Sequence, residues 1–134
     1  MDFDKTQSLY FIGIGGAGVS GLARIAKQHG KQVVGSDGSV GAVVAALRTE
    51  GITVHVPQAA AHVPLDYDLY VYSDAVPPTN PERQWLIDHK LESRTMSYFR
   101  AVGEMMKVYE RRIAVSGTHG KTTTTAMLTL VLTA

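Results

Sequence analysis

The ten residues LYFIGIGGAG, positions 9 to 18, restrict the fold of this chain more than any other stretch of it. Leu9 to Ile14 is a short run of β-forming side chains that ends among glycines. From Ala17 to His29 the apolar residues Val19, Leu22, Ala23 and Ala26 recur at helical spacing, until Gly30 stops the run as a C-terminal cap would. A strand that turns through glycines directly into a helix is one half of a crossover, so the next strand is expected to lie parallel to the first.

The pattern repeats along the chain. KQVVGSD is predicted as a second strand, Val40 to Glu50 as a second helix closed by Gly51, and ITVHV as a third strand. DLYVYSDAVPP reads as a strand running into a proline-rich loop, and NPERQWLIDHK as a helix with Asn80 as cap and Pro81 in its first position. Leu91 to Ser93 is predicted as a short strand, Thr95 to Val108 as a helix, and RRIAVSG as a last strand. Alternating strands and helices of this length predict an α/β fold with an open, mostly parallel sheet and helices on both faces. The 134 residues suffice for one complete domain and a remainder, with the boundary expected near the charged stretch Tyr109 to Arg112. That places one domain at residues 1–110 and the start of a second at 111–134.

Gly13, Gly15 and Gly18 fit the G-x-G-x-x-G pattern between a strand and a helix. Glycines there let the backbone turn tightly and approach a pyrophosphate, while the helix start offers free N–H groups and the positive end of its dipole. Asp37, at the end of the second strand, stands where a carboxylate accepts hydrogen bonds from ribose hydroxyls, and Ser36 beside it adds a polar group. A nicotinamide or flavin dinucleotide and a nucleoside-diphosphate sugar both present a ribose and a pyrophosphate, so this loop alone admits either. An NAD-binding regulatory module is one such reading.

A second loop, GTHGKTTTT, begins at Gly117 after another β-forming run. Gly120, Lys121 and Thr122 supply the parts a phosphate loop needs: a freed backbone, an ammonium for the outer phosphates, and a hydroxyl for a magnesium ion. Val115 occupies the place of the first glycine in the strict G-x-x-x-x-G-K-[ST] pattern, so the loop is a compact variant. Four consecutive threonines are poor helix material, which gives local structure little reason for them. Two phosphate-binding loops in one chain suggest two nucleotides handled in one reaction, which argues against a plain dehydrogenase.

Thirteen basic residues against twelve acidic ones, spread without runs, give no footprint for nucleic acid or an anionic membrane. The absence of cysteine excludes disulfides and thiolate chemistry. The N-terminus MDFDKTQ is polar and acidic where a signal peptide is basic and then apolar, and AMLTLVLTA falls well short of the roughly 20 residues that span a bilayer. A cytoplasmic protein is expected. Five scattered histidines make no metal site, and His55 and His62 read as loop residues.

YFIGIGGAGVSGLARIA, GSD, YSDAVPPTNPE and IAVSGTHGKTTTT, in that order and at these separations, resemble the Mur ligases of peptidoglycan synthesis. The likeness is strongest to the members that join L-alanine to UDP-N-acetylmuramate, and it covers the chain from Leu9 onward. It implies a Rossmann-like domain that holds the UDP-sugar, followed by the first strand, phosphate loop and helix of an ATPase domain. The family phosphorylates the sugar carboxylate with ATP and lets the amino-acid amine attack the acyl phosphate. The resemblance implies that Gly15, Gly16, Ala17 and Gly18 cradle the UDP pyrophosphate. Ser36 and Asp37 would lie near the uridine, and Ser73, Asp74 and Ala75 would line the opposite wall. It assigns Gly117, Thr118, His119, Gly120, Lys121, Thr122 and Thr123 to ATP, with Lys121 on the reacting phosphates and Thr122 on Mg2+. Asp74 departs from the family, which often has a second serine there. The related ligase that recycles a murein tripeptide usually lacks the third glycine of GIGGAG. On this reading the chain is a fragment that binds the UDP-sugar without ligating it, and residues 111–134 are expected to favour self-association through an apolar helix face.

Overall fold

The computed structural model describes residues 3–134; Met1 and Asp2, which open the polar N-terminus, lie outside the described residues. Five parallel strands form one sheet: β1 (Ser8–Ile12), β2 (Gln32–Ser36), β3 (Thr53–His55), β4 (Leu69–Tyr72) and β5 (Thr95–Ser97), in the order β3-β2-β1-β4-β5. Between and after them run the helices α1 (Ala17–Gln28), α2 (Ala42–Thr49), α3 (Pro81–Asp88), α4 (Tyr98–Met106) and α5 (Lys121–Thr133).

The two faces of the sheet carry separate cores because successive strand residues point to opposite sides. Leu9 and Phe11 of β1 join Leu69 and Val71 of β4 under α1, α2 and α4, represented by Leu22, Leu47 and Met105. Tyr10, Ile12 and Tyr70 face the other way, against Leu86 of α3 and Val63 and Val76 of the loops. Helices therefore cover both faces, as expected for a parallel sheet.

Strand order reverses at β1. The first crossover carries the chain from β1 to β2 on one side, and β4 then pairs on the other side of β1. The ends of β1 and β4 part there, which in open α/β sheets is where ligands bind.

Three elements differ from the sequence-based expectation. Leu91 to Ser93 is not a strand: Glu92–Arg94 form a short 3-10 turn, and the strand is Thr95–Ser97, which pairs with Tyr70, Val71 and Tyr72. The helix expected from Thr95 thus begins at Tyr98, where Ser97 Oγ accepts the Arg100 N–H at 3.4 Å as a cap. RRIAVSG is not a strand either; among the described residues no strand pairs with it, and Ile113 is 56% exposed. β-formers without a neighbouring ladder leave their backbone groups to water.

Gly35 of β2 shows how closely the central strands and the glycine loop are packed. A Cβ there would lie 2.7 Å from the Phe11 carbonyl oxygen and 2.8 Å from Ile14 Cδ1, whereas at Gly38 it would meet nothing within 4 Å. Gly35→Ala is expected to destabilise the protein by about 1–3 kcal/mol in denaturant unfolding, and Gly38→Ala to stay within about 0.5 kcal/mol. Equal midpoints for the two variants would contradict this packing.

Candidate functional site

The glycine loop closes one wall of the crevice. Gly13 has φ +80°, and a Cβ on it would sit 2.8 Å from Val76 Cγ2 and 3.0 Å from Ser73 Cβ, so only glycine lets the two strand ends come together. Gly15 donates its N–H to Asp37 Oδ2 at 2.8 Å. Gly16 is the N-cap of α1 with no side-chain cap, and no acidic residue lies in the first turn. The first intrahelical bond runs from Ser20 N–H to the Gly16 carbonyl at 2.8 Å, leaving the amides of Ala17 and Gly18 ahead of the ladder and exposed. Those amides and the helix dipole favour an anion.

Asp37 stands at the head of β2 as the sequence predicts, with Oδ2 on Gly15 and Oδ1 accepting the Ser39 N–H at 3.3 Å. It thereby shapes the loop from within the site. Ser36 is fully buried: its carbonyl accepts the N–H groups of Gly13 and Ile14, both at 2.9 Å, and its hydroxyl donates to Glu82 Oε2. The side chain of Ser36 faces the interior, away from the crevice. Ser73 takes the opposite wall, its N–H donating to the Ile12 carbonyl at 2.9 Å and its Oγ accepting the Ala75 N–H at 3.3 Å. Asp74 and Ala75 are exposed at its rim.

Two residues of this region escape sequence reasoning. Glu82, fully buried at the start of α3, accepts from Ser36, from Tyr10 Oη at 3.2 Å and from the Ala59 N–H at 3.0 Å. In the sequence it is an ordinary acidic residue after a helix cap; the only hints are a serine and a tyrosine inside apolar strands. Tyr98 packs its ring against Gly18, where a Cβ would collide with the tyrosine hydroxyl.

The second loop keeps the backbone of a phosphate cradle. Gly117 and Gly120 have φ of +154° and +75°, Gly120 is the N-cap of α5, and Lys121 Nζ donates to the Gly117 carbonyl at 2.7 Å. Thr124 N–H makes the first bond of the helix, to the Gly120 carbonyl at 2.9 Å, so the amides of Lys121, Thr122 and Thr123 precede the ladder. Thr118 and His119 are exposed in the loop. A cleft of about 1000 Å³ is lined by Ala17, Gly18 and Tyr98 on one side and by Val115, Lys121 and Thr122 on the other. Both helix starts open onto this space. The amides and the Lys121 ammonium suit phosphate groups, and the Thr122 hydroxyl is exposed beside them; no group of three or more His, Cys, Asp or Glu able to hold a metal ion occurs among the described residues. No helix among those residues is long and apolar enough to cross a membrane.

Residues 8–110 match the model of the Mur ligase family, catalytic domain. The chain belongs to the Mur ligase family. The UDP-N-acetylmuramate–L-alanine ligase of Lachnospira eligens is 41% identical over 134 residues, which is all of this chain and 29% of that protein. Among solved structures, the UDP-N-acetylmuramate–alanine ligase MurC of Thermotoga maritima superposes with a TM-score of 0.83 at 34% identity, over 94% of this chain and 29% of that one. The murein peptide ligase of Psychrobacter arcticus gives 0.84 at 31% identity, over 94% and 26%. The chain thus spans somewhat over a quarter of the length of each.

In this Mur ligase chain the buried Glu82 carboxyl and the Tyr10 hydroxyl beside it both titrate above their ordinary ranges. Burial raises the Glu82 pKa, while the hydrogen bonds from Ser36, Ala59 and Tyr10 and the nearby His62 pull it back. Burial first, and the Glu82 charge second, push the Tyr10 hydroxyl far upward, so it keeps its proton. His55 and His62 are not loop residues as the sequence suggests: His55 ends β3 and His62 ends a 3-10 turn, their rings stack with centroids 4.6 Å apart, and the His55 pKa is lowered by burial, by His62 and by Arg48. A carboxyl raised in the fold contributes stability that is full below the ordinary carboxylate range and is lost as pH rises through its folded value. Thermal midpoints of the unaltered protein and Glu82→Gln, measured from about pH 4 to about pH 8, are therefore expected to shift against the unaltered protein as pH rises. A difference that stays constant, or moves the other way, would contradict the raised value.

Proposed function

We propose that residues 1–110 form the UDP-sugar-binding domain of an ATP-dependent ligase of peptidoglycan synthesis that joins L-alanine to UDP-N-acetylmuramate, and that residues 111–134 begin its ATPase domain. The observation that carries this is the crevice where β1 and β4 part, floored by the uncapped start of α1. It occurs in a chain whose relatives bear the name of that ligase.

In this reading the amides of Ala17 and Gly18 hold the pyrophosphate, Gly15 lets it approach, and Gly16, whose N–H donates to the Gly13 carbonyl at 3.3 Å, shapes the cradle through its backbone. Asp37 accepts from the ribose with the lone pairs that Gly15 and Ser39 leave free. Ser73, Asp74 and Ala75 bound the site on the far wall, with Asp74 turned to sugar hydroxyls or solvent. The loop Gly117 to Thr123, with Thr118 and His119 at its tip, wraps phosphates, Lys121 neutralises the outer ones, and Thr122 offers its hydroxyl to Mg2+. ATP, when bound there, would supply the phosphoryl group that converts the sugar carboxylate to an acyl phosphate for attack by the alanine amine. Residues 1–134 by themselves bind the sugar nucleotide and do not ligate. The setting is the cytoplasm, where the sugar nucleotide and ATP coexist.

Calorimetric titration tests this. UDP-N-acetylmuramate is expected to bind, NAD and ATP to bind far more weakly, and Asp37→Ala to weaken the sugar nucleotide by about tenfold or more. Binding of NAD alone would return the first loop to a dinucleotide role. A murein peptide ligase shares the sugar nucleotide and the fold, so the amino-acid substrate of the whole enzyme separates the two.

The exposed side of α5 supports association with a second copy: Met127, Leu130, Val131 and Leu132 are 62–72% exposed. Sedimentation of the chain is expected to show a concentration-dependent dimer that Leu130→Glu disrupts; a monomer at all concentrations sinks the idea.

A further inference from the structure

We propose that Glu82 is a positioning residue for the sugar-nucleotide site, a buried clamp that holds both walls of the crevice in register. The inference rests on the reading of that crevice given above. Glu82 touches neither the crevice nor the glycine loop directly, and its effect runs through its partners.

On one side the connection passes through β2. The Glu82 carboxylate fixes the Ser36 hydroxyl, the Ser36 carbonyl carries the N–H groups of Gly13 and Ile14, and the next residue, Asp37, carries that of Gly15. Three successive amides of the glycine loop thus hang from a dipeptide that Glu82 anchors. The same carboxylate accepts from Tyr10 Oη of β1 and from Ala59 N–H in the loop after β3, so β1, β2 and that loop are tied to one group.

On the other side the connection passes through α3. Asn80 Oδ1 accepts the N–H groups of Glu82 and Arg83 at 2.9 and 3.4 Å, which sets the start of the helix. Arg83 lies with its guanidinium 3.8 Å from the centroid of the Tyr72 ring and donates to the Val76 carbonyl at 2.8 Å. Val76 closes the turn that begins at Ser73, its N–H donating to the Ser73 carbonyl at 2.9 Å, and its side chain lies where a Cβ on Gly13 would go. Adjacent residues of one helix therefore grip opposite walls. A carboxylate is suited to this because it is acceptor-only and receives three donors from three different elements at once. An apolar residue of the same size would bury the Ser36 hydroxyl and the Ala59 N–H without partners.

Amide exchange and ligand binding are measured together on Glu82→Ala, Glu82→Gln and Ser36→Ala, at a temperature where each is folded by circular dichroism. In Glu82→Ala the amides of Gly13, Ile14 and Gly15 are expected to exchange at least about tenfold faster while those of α4 hold, and the Kd for UDP-N-acetylmuramate to rise about tenfold. Glu82→Gln, which keeps one acceptor oxygen in place, is expected to recover part of both. Exchange that accelerates evenly over the whole domain, or loop amides that do not change, overturns the proposal. Should Glu82→Ala not fold, Ser36→Ala, which severs only the arm to β2, carries the same expectation and the same overturning result. Faster loop amides in a protein whose unaltered form ignores UDP-N-acetylmuramate would remove the sugar-nucleotide reading and leave the clamp standing. Unchanged loop amides with intact sugar-nucleotide binding would do the reverse.

Discussion

Leu9, Tyr10, Phe11 and Ile12 have no solvent exposure at all, and a strand so placed must have both its ladders occupied and both its faces covered. β2 fills one ladder and β4 the other, and because both are parallel to β1 each must be reached by a crossover on its own side. The reversal of strand order at β1 follows from that requirement. So does the crevice, since the loops leaving β1 and β4 run to opposite faces of the sheet. The crevice is the place where the burial of one strand leaves two chain ends diverging.

This dependence explains what was legible from sequence. β1, its glycine turn and α1 could be read because local signals agree with tertiary demand: β-formers, then Gly13 at a φ of +80° that glycine adopts readily, then apolar residues at helical spacing. Asp37, Ser73 and the start of α3 were likewise readable, being set by strand ends and by the Asn80 cap. The stretch from residue 91 to 97 was misread because a three-residue strand has little pattern of its own. Thr95, Met96 and Ser97 are a strand because Tyr70 to Tyr72 lie beside them, and the helical periodicity that continues through Ala101 and Met105 hides the change. Residues 111–117 fail in the opposite sense. Their β-forming side chains are genuine, but propensity without a neighbouring ladder makes no strand.

Glu82 shows a deeper limit. Nothing in NPERQ separates a solvated first-turn carboxylate from one buried beneath a sheet, since a helix start favours an acidic residue in either case. Its environment is assembled from Tyr10, Ser36 and Ala59, which lie 72, 46 and 23 residues away along the chain. Burying a carboxyl is costly unless its lone pairs are met, and here three donors meet them. Such a group stays in a core where it coordinates elements that apolar packing alone would let slide.

The two glycine loops differ in what surrounds them, and the difference bears on how firmly each is held. The first is held by the Ser36 carbonyl and the Asp37 carboxylate and abuts Tyr98, so its amides are aimed before any anion arrives. The second is held chiefly by its own lysine, since the Lys121 ammonium closes onto the Gly117 carbonyl within the loop. A lysine so engaged would have to give up that carbonyl to reach another partner, and among the described residues no strand pairs with 111–117 at the loop's entry. An anion at the first loop would therefore find its donors already placed, whereas one at the second would have to order the loop as well as fill it. The same glycine-and-helix pattern is thus held by the sheet at the first loop and by contacts within the loop at the second.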